Sequence, residues 1–420
     1  MSIAPSGLRL LAGANDGPGL TAHLNRFGPM PTHDGKRPDR IARLHNLIES
    51  SGLLGRGGSG VPAVWKFDFL ASTHKPVIVI NCMEGEPASS KDAVLATRAP
   101  HLILDGAAIL ADALHASRVV VAVADDADAT ASALNAAISE RHDARAPEIE
   151  RPPARYIAGE ESALVNWLHR GASLPTFRPT KPSYVTIRGR EALVHNAETL
   201  AQLALIARFG APWFREAGTA AHPGTTLVTV RGGVRQPGVL EWSPGGSLEQ
   251  LINAAGGLTD GFGGALLGGY GGSFVGPQHL QATMSHEGLT TIGATFGPGI
   301  VVVLPASQCP VAEMARIARY MAGESAGQCG PCAFGLPALA RDLELLASAK
   351  TSHVRVDQLH ARMAEIDGRG ACRHPDGVVR LLRSGLEHFE QHVASHQQRG
   401  ACAAAQLPTV FPFPASRRPR

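Results

Sequence analysis

Short apolar runs alternate with segments of helical period along the first half of the chain. Residues 77–80 form a continuous apolar run that predicts a buried strand, and the RVVVAVA run at residues 118–124 predicts another. Residues 101–115 and 129–140 carry apolar side chains at helical spacing and predict helices. Because strands that alternate with helices pair in parallel under a helical cover, this pattern predicts an α/β domain.

The pattern changes near Thr225. Residues 225–242 predict two strands joined by a Gly/Pro turn, residues 247–255 a short helix, and the later ALLGGYGGSFV and GIVVVLP segments further strands, so this part predicts an α+β module of about 80 residues. From Val311 the helical period returns. Two apolar stripes predict a helical bundle: Leu336, Leu339, Leu343 and Leu346 form the first, and Val378, Leu382, Leu386, Phe389 and Val393 form the second.

These changes divide the 420-residue chain into five predicted parts. Residues 1–45 predict an extended N-terminal arm with a short helix near residues 40–49. Residues 46–222 predict the α/β domain, residues 223–305 the α+β module, and residues 306–400 the helical domain. The Pro-rich basic stretch at residues 401–420 predicts a disordered tail.

Composition narrows the class of protein. Hydrophobic residues make up 44% of the chain and the net charge is only +3, which indicates a globular protein and argues against a nucleic-acid partner. No apolar stretch reaches the roughly 20 residues of a membrane span, so any membrane association is expected to run through a partner protein. The N-terminus lacks a secretory pattern, and six cysteines do not make a disulfide scaffold, so we expect a cytoplasmic protein.

A glycine-rich loop is the first segment with candidate chemistry. In SGLLGRGGSGVPAVWKFDF, the glycines Gly55, Gly57, Gly58 and Gly60 leave backbone N–H groups uncovered, so that a phosphate can approach them. Lys66 adds a charge, and a helix that begins near Pro62 would add its dipole. The alternative is a glycine-rich connection without a ligand. The loop is not a GxGxxG fingerprint, which disfavours an ordinary Rossmann dehydrogenase.

Acidic and amide side chains follow the first predicted strand. Asn81, Glu84 and Glu86 in VINCMEGEPASSKD lie where open α/β sheets bind ligands, and carboxylates there suit the hydroxyl groups of a ribose or ribityl chain. Glu160 and Glu161 lie at the start of a predicted helix, after a predicted strand and a turn that contains Gly159, where helix capping is the alternative role.

A second pair of polar residues precedes a helix in VHNAETL. His195 and Asn196 in this segment, taken alone, predict a helix cap.

Cysteine spacing predicts a metal or cluster site. Cys329 and Cys332 form a CxxC, and Cys372 supplies a third thiol, which suits zinc or an iron–sulfur cluster. Inert buried thiols are the alternative. Three further cysteines have no partner spacing and predict structural thiols: Cys82, Cys309 and Cys402.

In this order the segments resemble the NADH-oxidising flavoprotein subunit of bacterial NADH–quinone oxidoreductase, which is the F subunit of respiratory complex I. That family includes the diaphorase subunits of NAD-linked hydrogenases and formate dehydrogenases. GRGGSGVPAVWKF is similar to the family's GRGGAGFPxGxKW, NCMEGEP to NADEGEP, GEESAL to GEETAL, VHNAETL to VNNVETL, and ESAGQCGPC to ESCGxCxPC. The resemblance covers about residues 48–396 and implies a Rossmann-like flavin-binding α/β domain, a β-grasp module of the SLBB type and an iron–sulfur helical bundle.

The resemblance also implies roles for single residues. Glu86 and Glu161 would face a nicotinamide, so they are the candidate catalytic residues. The FMN site would be formed by Gly55, Arg56, Gly57, Gly58, Lys66, Asn81, Glu84, Gly159, Glu160, His195, Asn196 and Thr199. The cluster would be bound by Cys329, Cys332 and Cys372. Electrons would pass from NAD(P)H through FMN to the cluster and on to a redox partner subunit.

Departures from the family pattern lie at functional places. Ala326 occupies the position of the family's first cluster cysteine, which leaves three thiolates for a [3Fe–4S] or a [4Fe–4S] cluster. Ser325 is a candidate oxygen ligand. The alternatives are zinc with His374 as the fourth ligand, or a site that has lost its metal with the missing cysteine.

The remaining departures concern the flavin and nicotinamide sites. Met83 replaces a flavin-site aspartate, and His195 adds a group expected to titrate near neutral pH. Val61 and Lys181 replace two of the family's aromatic residues that stack on the nucleotide, and only Phe69 of that set remains. The loss of stacking surface at Val61 and Lys181 would weaken NADH binding. Alternatively, Lys181 and Arg178 would bind a phosphate and favour NADPH. The alternatives are therefore an FMN and iron–sulfur subunit that no longer uses NAD(H), or a degenerate interaction subunit.

Overall fold

The two apolar runs form the centre of the first sheet. The computed structural model describes residues 8–31, 35–177, 186–348 and 354–414. In it the runs are strands β1 (Val77–Cys82) and β2 (Arg118–Val123), joined by β3 (Glu148–Glu150), β4 (Thr186–Ile187) and β5 (Arg190–Asn196) in the order β3-β2-β1-β5-β4. β1 pairs in parallel with β2 and β5, and only the pairing of β4 with β5 is antiparallel. The predicted parallel sheet is confirmed, and its register places Asn81 opposite Asn196 at the carboxyl edge.

Helices cover this sheet as the pattern predicts. They are α1 (Leu20–Phe27), α2 (Arg37–Ser51), α3 (Ala63–Ala71), α4 (Lys91–Arg98), α5 (Pro100–Leu114), α6 (Asp128–Ser139), α7 (Glu161–Arg170) and α8 (Ala197–Arg215). The residues before α7 were predicted as a strand and a turn, but Tyr156–Gly159 is a single 3-10 turn. α8 bends at Gly210, which has a φ of 89°, and Pro212 lies two residues further along. The bend therefore has a backbone cause.

The N-terminal region belongs to the first core. Leu10, Phe27, Leu44 and Ile48 are buried in the same apolar cluster as the strands. The predicted extended arm is therefore wrong for this part, although the helix predicted near residues 40–49 lies within α2.

A second five-stranded sheet follows. Its elements are β6 (Thr226–Gly232), β7 (Gly238–Trp242), α9 (Leu248–Ala254), β8 (Phe262–Leu267), β9 (Ser273–Val275), α10 (His286–Thr290) and β10 (Ile300–Pro305). The strand order is β7-β6-β10-β8-β9, with β10 parallel to β6 and antiparallel to β8. The predicted mixed module is confirmed.

In the described part of the chain after β10, the α-helices are α11 (Pro310–Gly323), α12 (Leu336–Ser348), α13 (Val356–Ile366), α14 (His374–His388) and α15 (Glu390–Arg399). Both predicted apolar stripes are buried in their common core. The second stripe spans two helices, because the chain leaves helical conformation at Phe389 between α14 and α15.

Residues 401–414 pack back onto the molecule after α15. Phe411 is only 2% exposed and contacts the rings of Tyr270 and Phe274. The hydroxyl of Tyr270 donates to the carbonyl of Pro412. The predicted disordered tail is wrong for these residues, and residues 415–420 lie outside the described part.

A buried ion network joins the two sheets. The Lys91 ammonium at the start of α4 is 2.9 Å from Asp92 Oδ1 and 2.9 Å from Glu198 Oε2. Lys91 is 1% exposed and Glu198 is fully buried. The other oxygen of Glu198 accepts from Thr226 Oγ1 and from the Leu227 N–H, both at 2.9 Å. One carboxylate thus binds the first domain to the first strand of the second.

Among the described residues, no single helix is long and apolar enough to span a membrane. α4 and α5 pass that test only as a pair, bent by 92°, on length and composition alone.

We expect Lys91→Met to lower the free energy of unfolding by about 3–5 kcal/mol, because it leaves buried carboxylates without their cation. Arg319→Met is the matched control, since Arg319 pairs with Glu344 at the surface and such pairs contribute about 0–1 kcal/mol. Urea unfolding of both variants measures the difference. Equal losses in the two variants would contradict the role assigned to the network.

Candidate functional site

The glycine loop lies between two short pairings that fix its ends. The Gly55 N–H donates to the Val61 carbonyl at 2.8 Å, and the Ala63 N–H donates to the Leu53 carbonyl at 2.8 Å. Gly58 and Gly60 have φ values of 109° and 61°, which side chains rarely adopt. A Cβ on Gly57 would lie 3.3 Å from the Cβ of Asn196, so the loop passes close to the carboxyl edge of β5. α3 begins directly after the loop, as predicted.

Arg56 points away from the exposed side of this loop. Its guanidinium donates to His222 Nε2 and to the Pro223 carbonyl, the latter at 2.8 Å. The backbone N–H of Arg56 donates to Thr199 Oγ1 at 2.9 Å. Burial and the neighbouring Arg56 lower the pKa of His222 to about 2, so the imidazole stays neutral and can accept. Arg56 and Thr199 therefore position the loop, and a direct contact of either with a ligand stays a prediction.

Lys66 on α3 reaches the start of α7. Its ammonium is 2.7 Å from Glu161 Oε2 and 3.1 Å from the Val194 carbonyl. Two of the predicted site residues, 95 positions apart, are thus brought into one half-exposed ion pair. The pair lies at the carboxyl side of β5, next to the segment that carries His195.

Asn81 links three of the predicted segments. Its Nδ2 donates to the Gly159 carbonyl at 3.0 Å, and its Oδ1 accepts from the Met83 N–H at 3.1 Å. Its carbonyl accepts from Asn196 Nδ2 at 3.4 Å. Asn196 also caps α8 and accepts from Lys91 Nζ at 3.0 Å. The helix-cap role predicted for Asn196 is therefore confirmed, and Asn196 also joins the buried ion network.

Two predicted ligand carboxylates act as helix caps. Glu160 Oε2 accepts from the N–H groups of Ser162 and Ala163 at the start of α7, both at 2.9 Å. Glu84, at a φ of 41°, accepts from the N–H groups of Asp92 and Ala93 at the start of α4, also at 2.9 Å. Burial and Asp92 raise the pKa of Glu84. The capping alternative holds for Glu160, and Glu84 performs a role that the sequence did not predict.

Glu86 faces the second sheet. Its Oε2 accepts from the Tyr270 N–H at 2.8 Å, and its carboxyl group is hydrogen-bonded to the Tyr156 hydroxyl. Burial raises the pKa of Glu86 to about 7, although these hydrogen bonds favour the ionised form. Glu86 therefore titrates near neutrality, while the predicted contact with a nicotinamide remains a prediction.

A cavity of about 380 Å³ lies beside Glu86. Its walls come from the connections that follow β1 and β2, from the segment before α7, from the helical domain and from Pro414, and they include Glu84, Glu86, Tyr156, Tyr320 and Glu324. The glycine loop and Lys66 do not line it, so the predicted site residues fall into two groups, one lining the cavity and one beside the glycine loop.

His195 does not titrate near neutral pH. It is buried on β5, and burial together with the Lys66 charge lowers its pKa to about 3. The sequence-based expectation was wrong because the pattern did not show how deeply β5 is covered.

The three predicted cluster thiols are brought together. Cys329 and Cys332 lie on a turn before α12, where the Cys332 N–H donates to the Cys329 carbonyl at 3.0 Å. Burial, with Cys329 and Cys372 as neighbouring thiols, raises the pKa of Cys332 to about 12. The Ser325 side chain hydrogen-bonds to Cys332. His374 Nε2 donates to the Met321 carbonyl at 2.8 Å, which leaves its Nδ1 buried without a partner among the described residues.

The flavin-side and thiol-side segments contact each other directly. The Tyr156 N–H donates to Glu324 Oε2 at 2.8 Å, and Arg155 donates to the Ser325 carbonyl at 3.2 Å. Burial and the Glu160 charge raise the pKa of Cys372. The helix that Glu160 caps therefore lies beside the cysteine turn.

Sequence reasoning missed Lys91, Asp92, Glu198 and Tyr156 as structural residues of the site. All four lie inside or next to the quoted motifs, but their roles depend on distant contacts. Lys91 bonds Asn196 and Glu198 at separations of 105 and 107 positions, and the Tyr156 N–H bonds Glu324 at a separation of 168. Trp65 on α3, 60% exposed beside Lys66, was also not singled out. Arg178 and Lys181 lie outside the described residues.

Comparison with known proteins assigns three parts of the chain. Residues 48–205 match the Nuo51 FMN-binding domain, residues 227–269 the SLBB domain, and residues 312–396 the NADH-ubiquinone oxidoreductase-F iron-sulfur binding region. With the geometry above, these matches define an oxidoreductase subunit with FMN-binding and iron–sulfur-binding parts, in the architecture that the resemblance implied.

Full-length relatives narrow this class. The F 2 subunit of NADH-quinone oxidoreductase from Rhizobium meliloti (strain 1021) is 30% identical over 383 residues, which are 87% of this chain and 90% of that protein. The F subunit of the same enzyme from Mycobacterium bovis (strain ATCC BAA-935 / AF2122/97) is 28% identical over 85% of both chains. The chain belongs to the family of the F subunits of NADH-quinone oxidoreductases.

Solved structures show the same fold. A chain of an NAD⁺-reducing [NiFe]-hydrogenase in the H₂-reduced state superposes with a TM-score of 0.79 at 27% identity, over 86% of this chain and 64% of that one. The air-oxidised state gives a TM-score of 0.80 at 28% identity, over 93% of this chain and 67% of that one. This chain thus spans about two thirds of the hydrogenase chains it matches.

We expect the ionisation of Glu86 to lower the stability of the folded protein as the pH rises from about 5 to about 8. Its pKa of about 7 in the folded state exceeds the ordinary value of 4.5, so the folded protein holds the extra proton and its advantage is lost as pH climbs through that range. Glu86→Gln keeps an acceptor for Tyr270 but cannot ionise. The melting temperature of this variant relative to the unsubstituted protein should therefore increase with pH.

The exposed Glu365→Gln is the matched control, because its melting temperature should follow that of the unsubstituted protein at every pH. A Glu86→Gln curve parallel to the control would show that Glu86 is ionised throughout.

Proposed function

We propose that the protein oxidises NAD(P)H through FMN and passes the electrons through an iron–sulfur cluster to a redox partner subunit. The observation that carries this proposal is the direct contact between the two sites, made by Tyr156 and Arg155 with Glu324 and Ser325. A flavin-side segment and a cysteine turn joined by two hydrogen bonds suit electron transfer between neighbouring centres.

The residues at the carboxyl edge of the first sheet fit a flavin mononucleotide. Gly57 and Ser59 of the loop are exposed, whereas the Arg56 side chain is buried against His222, so a phosphate could approach the loop backbone at these two residues. Lys66 uses two of its three donors on Glu161 and Val194, which leaves one for a ligand as far as the described residues show. FMN would be held by this loop, Lys66 and Asn81, and when bound it supplies the exchange between two-electron and one-electron chemistry.

The chain's own groups set the electrostatics of that site. Glu161 Oε2 lies 2.7 Å from the Lys66 ammonium, so these two charges compensate each other. His195 is neutral above about pH 4, because its pKa is about 3, and adds no second cation. The glycine backbone is therefore the main anion-binding element, and we propose that Glu161 and Glu86 orient polar groups of the nicotinamide substrate.

The thiol site fits a cluster with three cysteine ligands. The Cys329 and Cys372 thiols lie close enough to Cys332 to raise its pKa, and the Ser325 side chain hydrogen-bonds to Cys332. Thiolates are the usual ligands of such clusters, and Ser325 is the candidate for the position that Ala326 cannot fill. His374 carries an unpartnered Nδ1 in the described structure and is the alternative fourth donor. The cluster, when bound, supplies single-electron transfer.

A specific observation favours a second function without NAD(H). Phe69, the aromatic that remains from the family's stacking set, packs against the first core, and Val61 occupies the loop itself. In that case the protein would accept electrons from another protein and keep only FMN and the cluster. A degenerate interaction subunit is disfavoured, because the glycine loop and the three thiols are in place. We also propose that the protein is cytoplasmic and that any contact with a membrane is made through a partner protein.

We expect Lys66→Ala to weaken FMN binding about tenfold or more, because it removes a charge-assisted hydrogen bond worth roughly 1.5–3 kcal/mol. The exposed Lys75→Ala, which lies off the site, is the matched control. Flavin released from the purified protein is identified by chromatography, and the fluorescence of FMN added back to the apoprotein gives the dissociation constant. Recovery of FAD, or equal affinity in the two variants, would refute the assignment.

Anaerobic titration with NADH and NADPH tests the reaction itself. We expect the nucleotide to bleach the flavin absorbance and then to reduce the cluster, seen by electron paramagnetic resonance. In Cys332→Ser the flavin should still bleach while the cluster signal is lost, because Cys332 is the most buried of the three ligands.

The outcomes of this titration separate the candidate functions. A flavin that neither nucleotide bleaches, but that a reduced iron–sulfur protein does, would establish the second function. Protein without flavin and iron would establish the interaction subunit.

A further inference from the structure

Four metal-ligand side chains meet at the end of the helical domain that is away from the cysteine turn. Cys309, His392, His396 and Cys402 place their ligand atoms all within 4.8 Å of one another. In the ranges that the structure describes, this group alone is compact enough for a single ion. Cys309 precedes α11, whereas the CxxC turn follows its other end, and a helix of 14 residues is about 21 Å long.

Local structure brings these four residues together. His392 and His396 lie one turn apart on α15, so their rings project from one face of that helix. Gly400, at φ 82°, ends α15 and turns the chain so that Cys402 returns to the two histidines. Cys309 is the N-cap residue of α11, where its Sγ accepts from the Ala312 N–H at 3.4 Å.

The distances match a tetrahedral zinc site. Cys309 Sγ is 3.5 Å from His396 Nε2, and Cys402 Sγ is 3.5 Å from His392 Nε2. Zinc bonds of about 2.3 Å to sulfur and about 2.0–2.1 Å to nitrogen, at tetrahedral angles, place sulfur and nitrogen ligands about 3.5 Å apart. The two observed sulfur–nitrogen distances are thus those expected between ligands of one tetrahedral zinc ion.

A second contact fixes the tautomer of His396. Its Nδ1 donates to the Leu346 carbonyl at 3.0 Å, so the lone pair lies on Nε2, which faces Cys309 and accepts from the Cys402 N–H at 3.4 Å. Histidines that bind metals usually donate their other nitrogen to a carbonyl or carboxylate in this way. The ring is already oriented as a ligand.

The group is buried at its centre. Cys309 is only 1% exposed and His396 is fully buried. A divalent cation bound there would compensate the charge of two buried thiolates.

We propose that Cys309, His392, His396 and Cys402 bind one structural zinc ion. Two thiolates and two imidazoles fill a tetrahedral shell and leave no position for a substrate, which is the pattern of structural rather than catalytic zinc. The sequence offered no sign of this site, since Cys309 and Cys402 have no partner spacing along the chain and become neighbours only through the fold.

The zinc would link residues 401–414 to the start of α11 through Cys402 and Cys309. From Cys402 the chain continues to Phe411 and Phe413, whose rings contact Tyr270, and Phe413 also contacts Tyr320. Tyr320 lines the cavity beside Glu86. The site therefore stabilises one wall of that cavity without touching it.

Metal analysis of the full-length protein, purified anaerobically with its bound cofactors, tests the proposal. We expect about one zinc per chain in addition to any iron, and zinc-edge X-ray absorption should show two sulfur neighbours at about 2.3 Å and two nitrogen neighbours at about 2.0–2.1 Å. Cys309→Ser should lose the zinc and keep the iron, because serine is a good N-cap residue and preserves the start of α11. His392→Gln, at a half-buried position, is the second variant.

The exposed His360→Gln is the matched control and should keep its zinc. In Cys309→Ser, hydrogen exchange should become faster at residues 403–414 and stay unchanged in β6. Four results would overturn the proposal: no zinc in the unsubstituted protein, zinc retained in both ligand variants, iron in place of zinc at this shell, or a Cys309–Cys402 disulfide found by mass spectrometry. Because zinc and iron are counted separately, this result does not depend on the proposed redox function.

Discussion

The ion pairing of the buried Lys91 ammonium is the interaction on which the arrangement of both sheets depends. Its two carboxylate partners lie on different elements, Asp92 on α4 and Glu198 on α8, and Glu198 also binds the first strand of the second sheet. Charges this deep are tolerated only when each is paired and hydrogen-bonded, so the network permits one relative position of these elements. That position places Asn196, which shares the network, directly behind the glycine loop.

Most of the fold could be predicted because its signals are local. β1, β2, α5 and α6 each carry their own apolar period, and the predicted segments agree with the observed elements to within one or two residues. The N-terminal region and residues 401–414 could not be predicted in the same way. Their polar, Pro-rich composition hides a few apolar side chains, among them Leu10 and Phe411, which are buried only against distant parts of the chain.

The candidate site shows the same division. Motif residues such as Gly58 and Lys66 lie where their segments predicted, because a loop between a strand-like pairing and a helix has few possible shapes. The environment of each side chain was not predictable: His195 became a neutral buried imidazole, Glu84 a helix cap, and Arg56 a link to residues 222–225. The environments of His195 and Arg56 are decided by atoms from distant segments, about which sequence spacing carries no information. The partners of Glu84 are only eight and nine positions away, and its cap depends on how the chain turns between β1 and α4.

α11 connects two fixed points, and this limits how the chain can vary. Cys309 caps one end of the helix, while Glu324, just beyond the other end, is held by the Tyr156 backbone. Inserting one residue within the helix would rotate one end by about 100° and move it by about 1.5 Å relative to the other, so one of the two contacts would break. Length variation among relatives should therefore be excluded from this helix and confined to the surface connections, where an extra residue rotates nothing.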